Sequence, residues 1–217
     1  NLWIMRKLLF TMLLACLQLC AWSQTPGMTK YTIQWKDYRP AVVTTTDGKK
    51  VTVGQANILL KRSTLVYRSV LRNHIMEAQM DNIKCVDFGD RHYERIDTTL
   101  AWRVDTVGKN ALYCVTKIDQ HAFRQNLINN RQMTNVELNT EYVETATLDP
   151  ADSDIEYPVV NIYYYYLNGK FVLCHERELY RHVPKAMRER YKVALSMPDF
   201  SWSSPRALLN VLRSITR

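Results

Sequence analysis

The chain has 217 residues, with 29 Lys and Arg against 21 Asp and Glu, five cysteines and six glycines. That length supports one substantial domain whose core does not depend on disulfides. So few glycines leave little room for a phosphate-cradling loop, and neither that motif nor GxSxG or HExxH occurs.

The first element in chain order is a leader. Met5-Arg6-Lys7 precedes the apolar run Leu8 to Leu19 and then Ala21-Trp22-Ser23-Gln24. A short positive end, an apolar stretch too short for a bilayer and small residues before a cut after Ser23 predict a secretory signal peptide over residues 1–23. Residues 1–4 read as an upstream remnant and Gln24 as the mature start. Leu13-Leu14-Ala15-Cys16 also resembles a lipoprotein box, and cutting there would tether the protein through a lipidated Cys16. The Leu17 to Trp22 stretch that would follow is apolar where such tethers are polar, so the soluble form is the first reading. No later run reaches the roughly 20 apolar residues of a spanning helix. Losing Arg6 and Lys7 with the leader leaves 27 bases against 21 acids. For an exported chain that excess points to an anionic envelope surface or partner rather than to nucleic acid.

Residues 24–130 predict an antiparallel β meander, a sandwich or small barrel, ending in a short helix. Val42 to Thr46 and Lys50 to Val53 flank Asp47-Gly48, a hairpin turn. Asn57 to Tyr67 continues the pattern around Lys61-Arg62-Ser63. Glu77 to Phe88, His92 to Ile96, Leu100 to Asp105 and Ala111 to Ile118 follow at the turn spacing of an antiparallel sheet. Phe123, Leu127 and Ile128 then suggest a helix over His121 to Ile128. Residues 131–158 read as an acidic surface loop or linker, with seven acids and no base from Glu137 to Glu156. Residues 159–217 complete the same domain. Val159 to Leu167 and Lys170 to Cys174 flank Asn168-Gly169, the strongest hairpin signal in the chain. Helices are predicted over Glu176 to His182, from Pro184 through Met187, Tyr191 and Leu195, and after the Ser204-Pro205 cap with the stripe Leu208, Leu209, Leu212, Ile215. The class is α+β.

Outside the leader the cysteines are Cys85, Cys114 and Cys174, none in a CxxC pair. Three buried thiols are preferred over one bridge and a free thiol. Tyr163-Tyr164-Tyr165-Tyr166 would send two rings to each face of a strand. Outward rings, with Trp102, could stack on sugars or anchor a partner, unless helices cover that face. Arg181, Lys185, Arg188 and Lys192 form a candidate basic surface. Cys174-His175 places a thiol beside an imidazole, but a strand sends adjacent side chains to opposite faces, so a buried cysteine is preferred to a nucleophile. His74, His92, His121, His175 and His182 lack metal-site spacing. Asp149, Asp152, Asp154 and Glu156 lack the glycine and spacing of a calcium loop. No cofactor, catalytic residue or metal ligand is assigned.

The segments Gly54 to Lys61, Val86 to Tyr93 and Val104 to Leu112, with the Tyr163 to Tyr166 hairpin, the closing helices and Ser23-Gln24, resemble uncharacterised secreted proteins of Bacteroidota. The resemblance implies a β-rich periplasmic, outer-membrane-associated or cell-surface protein with C-terminal helices. It carries over no catalytic residue. The function expected is non-enzymatic binding of another envelope component, protein or glycan. The alternatives are a carbohydrate-binding module built on Tyr163 to Tyr166 and Trp102, and a hydrolase built on Cys174 and His175.

Overall fold

A computed structural model describes residues 27–69, 74–129 and 156–216. The leader, its cleavage boxes and most of the acidic segment lie outside the described residues. Eleven strands form one antiparallel sheet: β1 (Gly27–Thr29), β2 (Arg39–Thr45), β3 (Lys50–Leu59), β4 (Thr64–Arg68), β5 (Ile75–Glu77), β6 (Ile83–Asp87), β7 (His92–Ile96), β8 (Thr99–Val107), β9 (Asn110–Ile118), β10 (Tyr157–Leu167) and β11 (Lys170–Leu173). The helices are α1 (Gln120–Asn129), α2 (Glu176–His182), α3 (Arg188–Leu195) and α4 (Pro205–Thr216). No described helix is long and apolar enough to cross a membrane.

Local turn chemistry makes the hairpins. Gly48 joins β2 to β3 at φ +84°, and Asn168 and Gly169 join β10 to β11 at φ 50° and 85°. In the β10–β11 turn, positive φ at both central residues matches the right-handed twist of the flanking strands. Tertiary contacts set the rest of the order, β1-β10-β9-β8-β7-β6-β2-β3-β4-β5, with β11 also on β10. The expected strand over Glu77 to Phe88 is two strands separated by a 3₁₀ turn at Met80–Asn82. The first, β5, ends the sheet beside β4, and the second, β6, crosses back to pair with β2, Val43 opposite Val86.

The sheet curls without closing, which corrects the expectation of a sandwich or barrel. The β3–β4 turn reaches across the curl: the Leu100 N–H donates to the Ser63 carbonyl at 2.7 Å, the Ser63 hydroxyl donates to the Leu100 carbonyl at 2.7 Å, and the Ile118 N–H donates to the Leu60 carbonyl at 2.9 Å. These bonds pin one corner. Among the described residues no ladder joins β5 to β1 or β11, so both edges persist, and no second sheet packs face to face. Twist accumulated over ten strands suffices to curl the sheet.

The concave face carries two cores. One gathers Ala41, Val43, Ala56, Ile58, Leu65, Val86, Tyr93 and Leu100 from six strands. The other lies on β9 to β11, where Leu112, Cys114, Tyr163, Tyr165 and Val172 pack under α2, α3 and α4. The α4 stripe is Leu208, Val211, Leu212 and Ile215, all buried, with Leu209 only partly covered. The Ser204 hydroxyl accepts the Ala207 N–H at 3.3 Å, as an N-cap does. The convex side of β7 to β11 carries Ile96, Ala101, Ala111, Tyr113 and Val115, with Ile162, Tyr164, Tyr166 and Phe171 half-covered around them.

Candidate functional site

The tyrosine run divides as strand alternation requires. Tyr163 and Tyr165 lie in the core under the helices, and the Tyr165 hydroxyl donates to the Leu208 carbonyl at 2.6 Å. Tyr164 and Tyr166 are half-buried on the convex side, where Tyr166, Phe171 and Tyr113 meet at ring-centroid distances of 5.0 to 6.5 Å. Trp102 is not with them. It sits on the concave side between the two cores, with the Arg91 guanidinium 5.1 Å from its ring centroid. The aromatic residues grouped by sequence therefore belong to two faces.

Of the described thiols, all free, Cys114 and Cys174 are buried as expected, whereas Cys85 is only half-buried. Tyr163 pairs with Cys114 on one side, and the Cys174 N–H donates to the Tyr163 carbonyl on the other. The two cysteines are thus separated by a whole strand, about 9.5 Å, beyond the Cα spacing a disulfide can span. Burial pushes the Cys174 thiol far above its ordinary pKa. His175 is exposed, so the fold does not bring the two together as a nucleophile and base. No group of three or more His, Cys, Asp or Glu placed to hold a metal ion occurs among the described residues. Glu156 is exposed, and its acidic companions Asp149, Asp152 and Asp154 lie outside the described residues.

Of the predicted basic surface, Arg181 pairs with Glu178 at 3.4 Å and Lys192 with Glu189 at 2.9 Å. Arg188 lies 4.6 Å above the Tyr180 ring, and Lys185 is exposed in the 3₁₀ turn before α3. A cavity of about 540 Å³ opens beside them between α3 and α4. Val193, Ala194, Met197, Phe200 and Ala207 give it an apolar floor, Arg190, Asn210 and Ser214 a polar end, and Glu189 and Asp199 also line it, Glu189 being paired with Lys192. Val193 and Met197 are 60% and 56% exposed. The small side chains of Ala194 and Ala207 leave open the space that larger ones would fill. Arg213 joins the polar end, donating to Asn210 at 3.1 Å with Asp105 at 3.8 Å. Arg190 has no carboxylate partner among the described residues. From Glu176 to Thr216 there are eight Lys and Arg against four Asp and Glu, so the groove opens on a basic layer. Sequence reasoning found the charge but missed Arg190, Val193 and Met197, because a groove depends on which helix faces adjoin.

A second polar cluster lies on β6 to β9. His92 Nδ1 is 3.3 Å from Asp87 and Nε2 is 3.6 Å from Glu94. Glu94 also meets the Tyr113 hydroxyl, and Arg103 acts on the group from β8. The Glu94 and Asp87 contacts outweigh burial and raise the His92 pKa. Glu94 is lowered, chiefly by His92, and Asp87 chiefly by the Gly89 N–H. A raised folded-state pKa means that the stability His92 contributes is fully present below its unfolded value of about 6.5 and is lost as pH rises through the folded value. His92→Gln should therefore flatten the fall of the urea midpoint as pH rises above about 6.5. An unchanged slope would show that the imidazole is not charged by these neighbours.

In comparison with known proteins, no family model, no curated protein and no solved structure matches the chain.

Proposed function

We propose that the protein is an exported component of the cell envelope that performs no reaction of its own and binds a partner protein through the α3–α4 groove. The partner contributes an amphipathic segment whose apolar side chains lie on Val193, Ala194, Met197 and Phe200 and whose carboxylates meet Arg190 and Arg213. The observation that carries this reading is the unpaired Arg190 at the polar end of an apolar groove. A groove of this size and lining matches the way proteins receive amphipathic helices or ligands. The excess of bases around it favours an acidic occupant.

A photo-crosslinking side chain at Val193, whose 60% exposure lets it change without disturbing the core, tests the reading in envelope fractions. The expected product is one protein, crosslinked through an acidic amphipathic segment. Arg190→Glu should lower its yield about tenfold, as reversal of a specific charge contact does. Crosslinks to lipid alone, or a yield that Arg190→Glu leaves unchanged, would overturn it.

A further inference from the structure

The α3–α4 groove has two ends of unlike charge. Arg190 lies in the first turn of α3, and Asn210, Arg213 and Ser214 lie in the second half of α4, where the four line a polar cavity. Met197, Asp199 and Phe200 lie in the connection between the helices, and Ala207 in the first turn of α4. Arg190, Asn210 and Ser214 line the apolar cavity as well, so the two adjoin and the cations stand directly beyond the apolar floor. Donors at that end are unspent. Arg190 has no carboxylate partner among the described residues. Asp105 comes no nearer to Arg213 than 3.8 Å, beyond hydrogen-bond distance. The Asn210 amide oxygen accepts from Arg213, which leaves its NH2 group to donate. Glu189 does not neutralise the end, since its side chain is 84% exposed and held by Lys192 at 2.9 Å.

We infer that the groove, taken as a protein site, receives the partner's C-terminal end, with the terminal carboxylate on Arg190, Arg213 and the Asn210 amide and the last apolar side chains on Val193, Met197 and Phe200. A chain end carries one carboxylate next to its last side chains and has no chain beyond the charge, which suits cations gathered at one end of an apolar floor. Two guanidinium forks and an amide can together hold both oxygens of a carboxylate. From Ala207 to Ser214 the slot runs about 10 Å along α4, room for about three residues of extended chain at about 3.3 Å each. Asp199, at the other end, repels a carboxylate and so sets the direction in which the chain lies.

Peptide display against the full chain tests the inference with two libraries of random decapeptides, one ending in a free carboxylate and one joined to its carrier at both ends. The free-ended library should yield peptides with apolar residues in the last three positions. Those peptides made as carboxamides should bind about tenfold more weakly, the worth of a charge-assisted hydrogen bond. Arg190→Gln should weaken the carboxylate form by a similar factor and leave the carboxamide form as it was, a difference that a merely structural role would not produce. Its urea midpoint should not move, because Arg190 is exposed. Binders from the closed library alone would overturn the terminal assignment and leave the groove a protein site, whereas binders from neither library would overturn both. Equal affinity of the carboxylate and carboxamide forms would also overturn it, as would displacement of the peptide by an equal concentration of decanoate, which has the carboxylate and an apolar body but no peptide chain.

Discussion

Tyr165→Ala should lower the free energy of unfolding by about 3–5 kcal/mol, the range for removing a large aromatic ring from a packed core. Tyr165 is fully buried at the centre of the layer between β9, β10 and α4, among Leu112, Leu208, Val211 and Leu212. Its neighbours belong to a sheet and a helix that cannot both move inward, so a large part of the lost volume remains as a cavity. Against a total stability of about 5–15 kcal/mol for a domain, that loss places the variant near the edge of folding. Tyr165→Phe separates packing from the polar contact. It removes only the 2.6 Å bond to the Leu208 carbonyl and should cost about 1 kcal/mol. Urea denaturation of both variants checks the pair. Equal losses would mean that the hydroxyl rather than the ring holds α4 on the sheet.

Asn57→Ala should cost about 3 kcal/mol, although Asn57 lies in a strand far from the α3–α4 groove. Its side chain is fully buried, and all its bonding capacity is used. The amide donates to the Trp35 carbonyl at 2.8 Å and the Asp37 carbonyl at 3.2 Å, and the oxygen accepts the N–H groups of Trp35 at 3.2 Å and Ile58 at 2.8 Å. Alanine leaves several of these backbone groups without partners, each costing about 1–3 kcal/mol where water cannot reach. Asn57→Asp should be no better at neutral pH, since a carboxylate cannot donate to either carbonyl. Its deficit should shrink on acidification, because burial raises the carboxyl pKa in the fold and the protonated form can donate once. Denaturant midpoints at acidic and neutral pH measure both effects. A pH-independent Asn57→Asp deficit would show that water already satisfies the Trp35 and Asp37 carbonyls.

How much of this was legible in the chain depended on whether the cause was local. The Asp47-Gly48 and Asn168-Gly169 hairpins, the Ser204 cap and the alternation of Tyr163 to Tyr166 each follow from a few adjacent residues, and each is found where its chemistry placed it. The break inside Glu77 to Phe88 was not readable. It arises because the Ala78 N–H donates to the distant Leu65 carbonyl while β6 leaves to pair with β2. The same holds for the curl, whose pin joins Ser63 to Leu100. Trp102 was grouped with the tyrosines by composition, yet its strand register against Tyr93 and Cys114 turns it toward Arg91. Asn57 gave no signal because an asparagine between alanine and isoleucine looks like an ordinary polar strand position until its four partners are known.

The helical cover has a consequence for the order of events in time. Helix α4 spans the last described residues, Pro205–Thr216, and Thr216 accepts a bond from Asn110 at the start of β9, 106 positions earlier. Until those residues leave the ribosome, the side of β9 and β10 bearing Leu112, Cys114 and Tyr165 lacks the apolar stripe of Leu208, Val211, Leu212 and Ile215 that covers it. The β9–β10 face therefore cannot complete its packing until α4 has been made. Such late, long-range closure makes for slow folding and leaves an apolar surface exposed on the way, a period in which a chaperone would have something to hold.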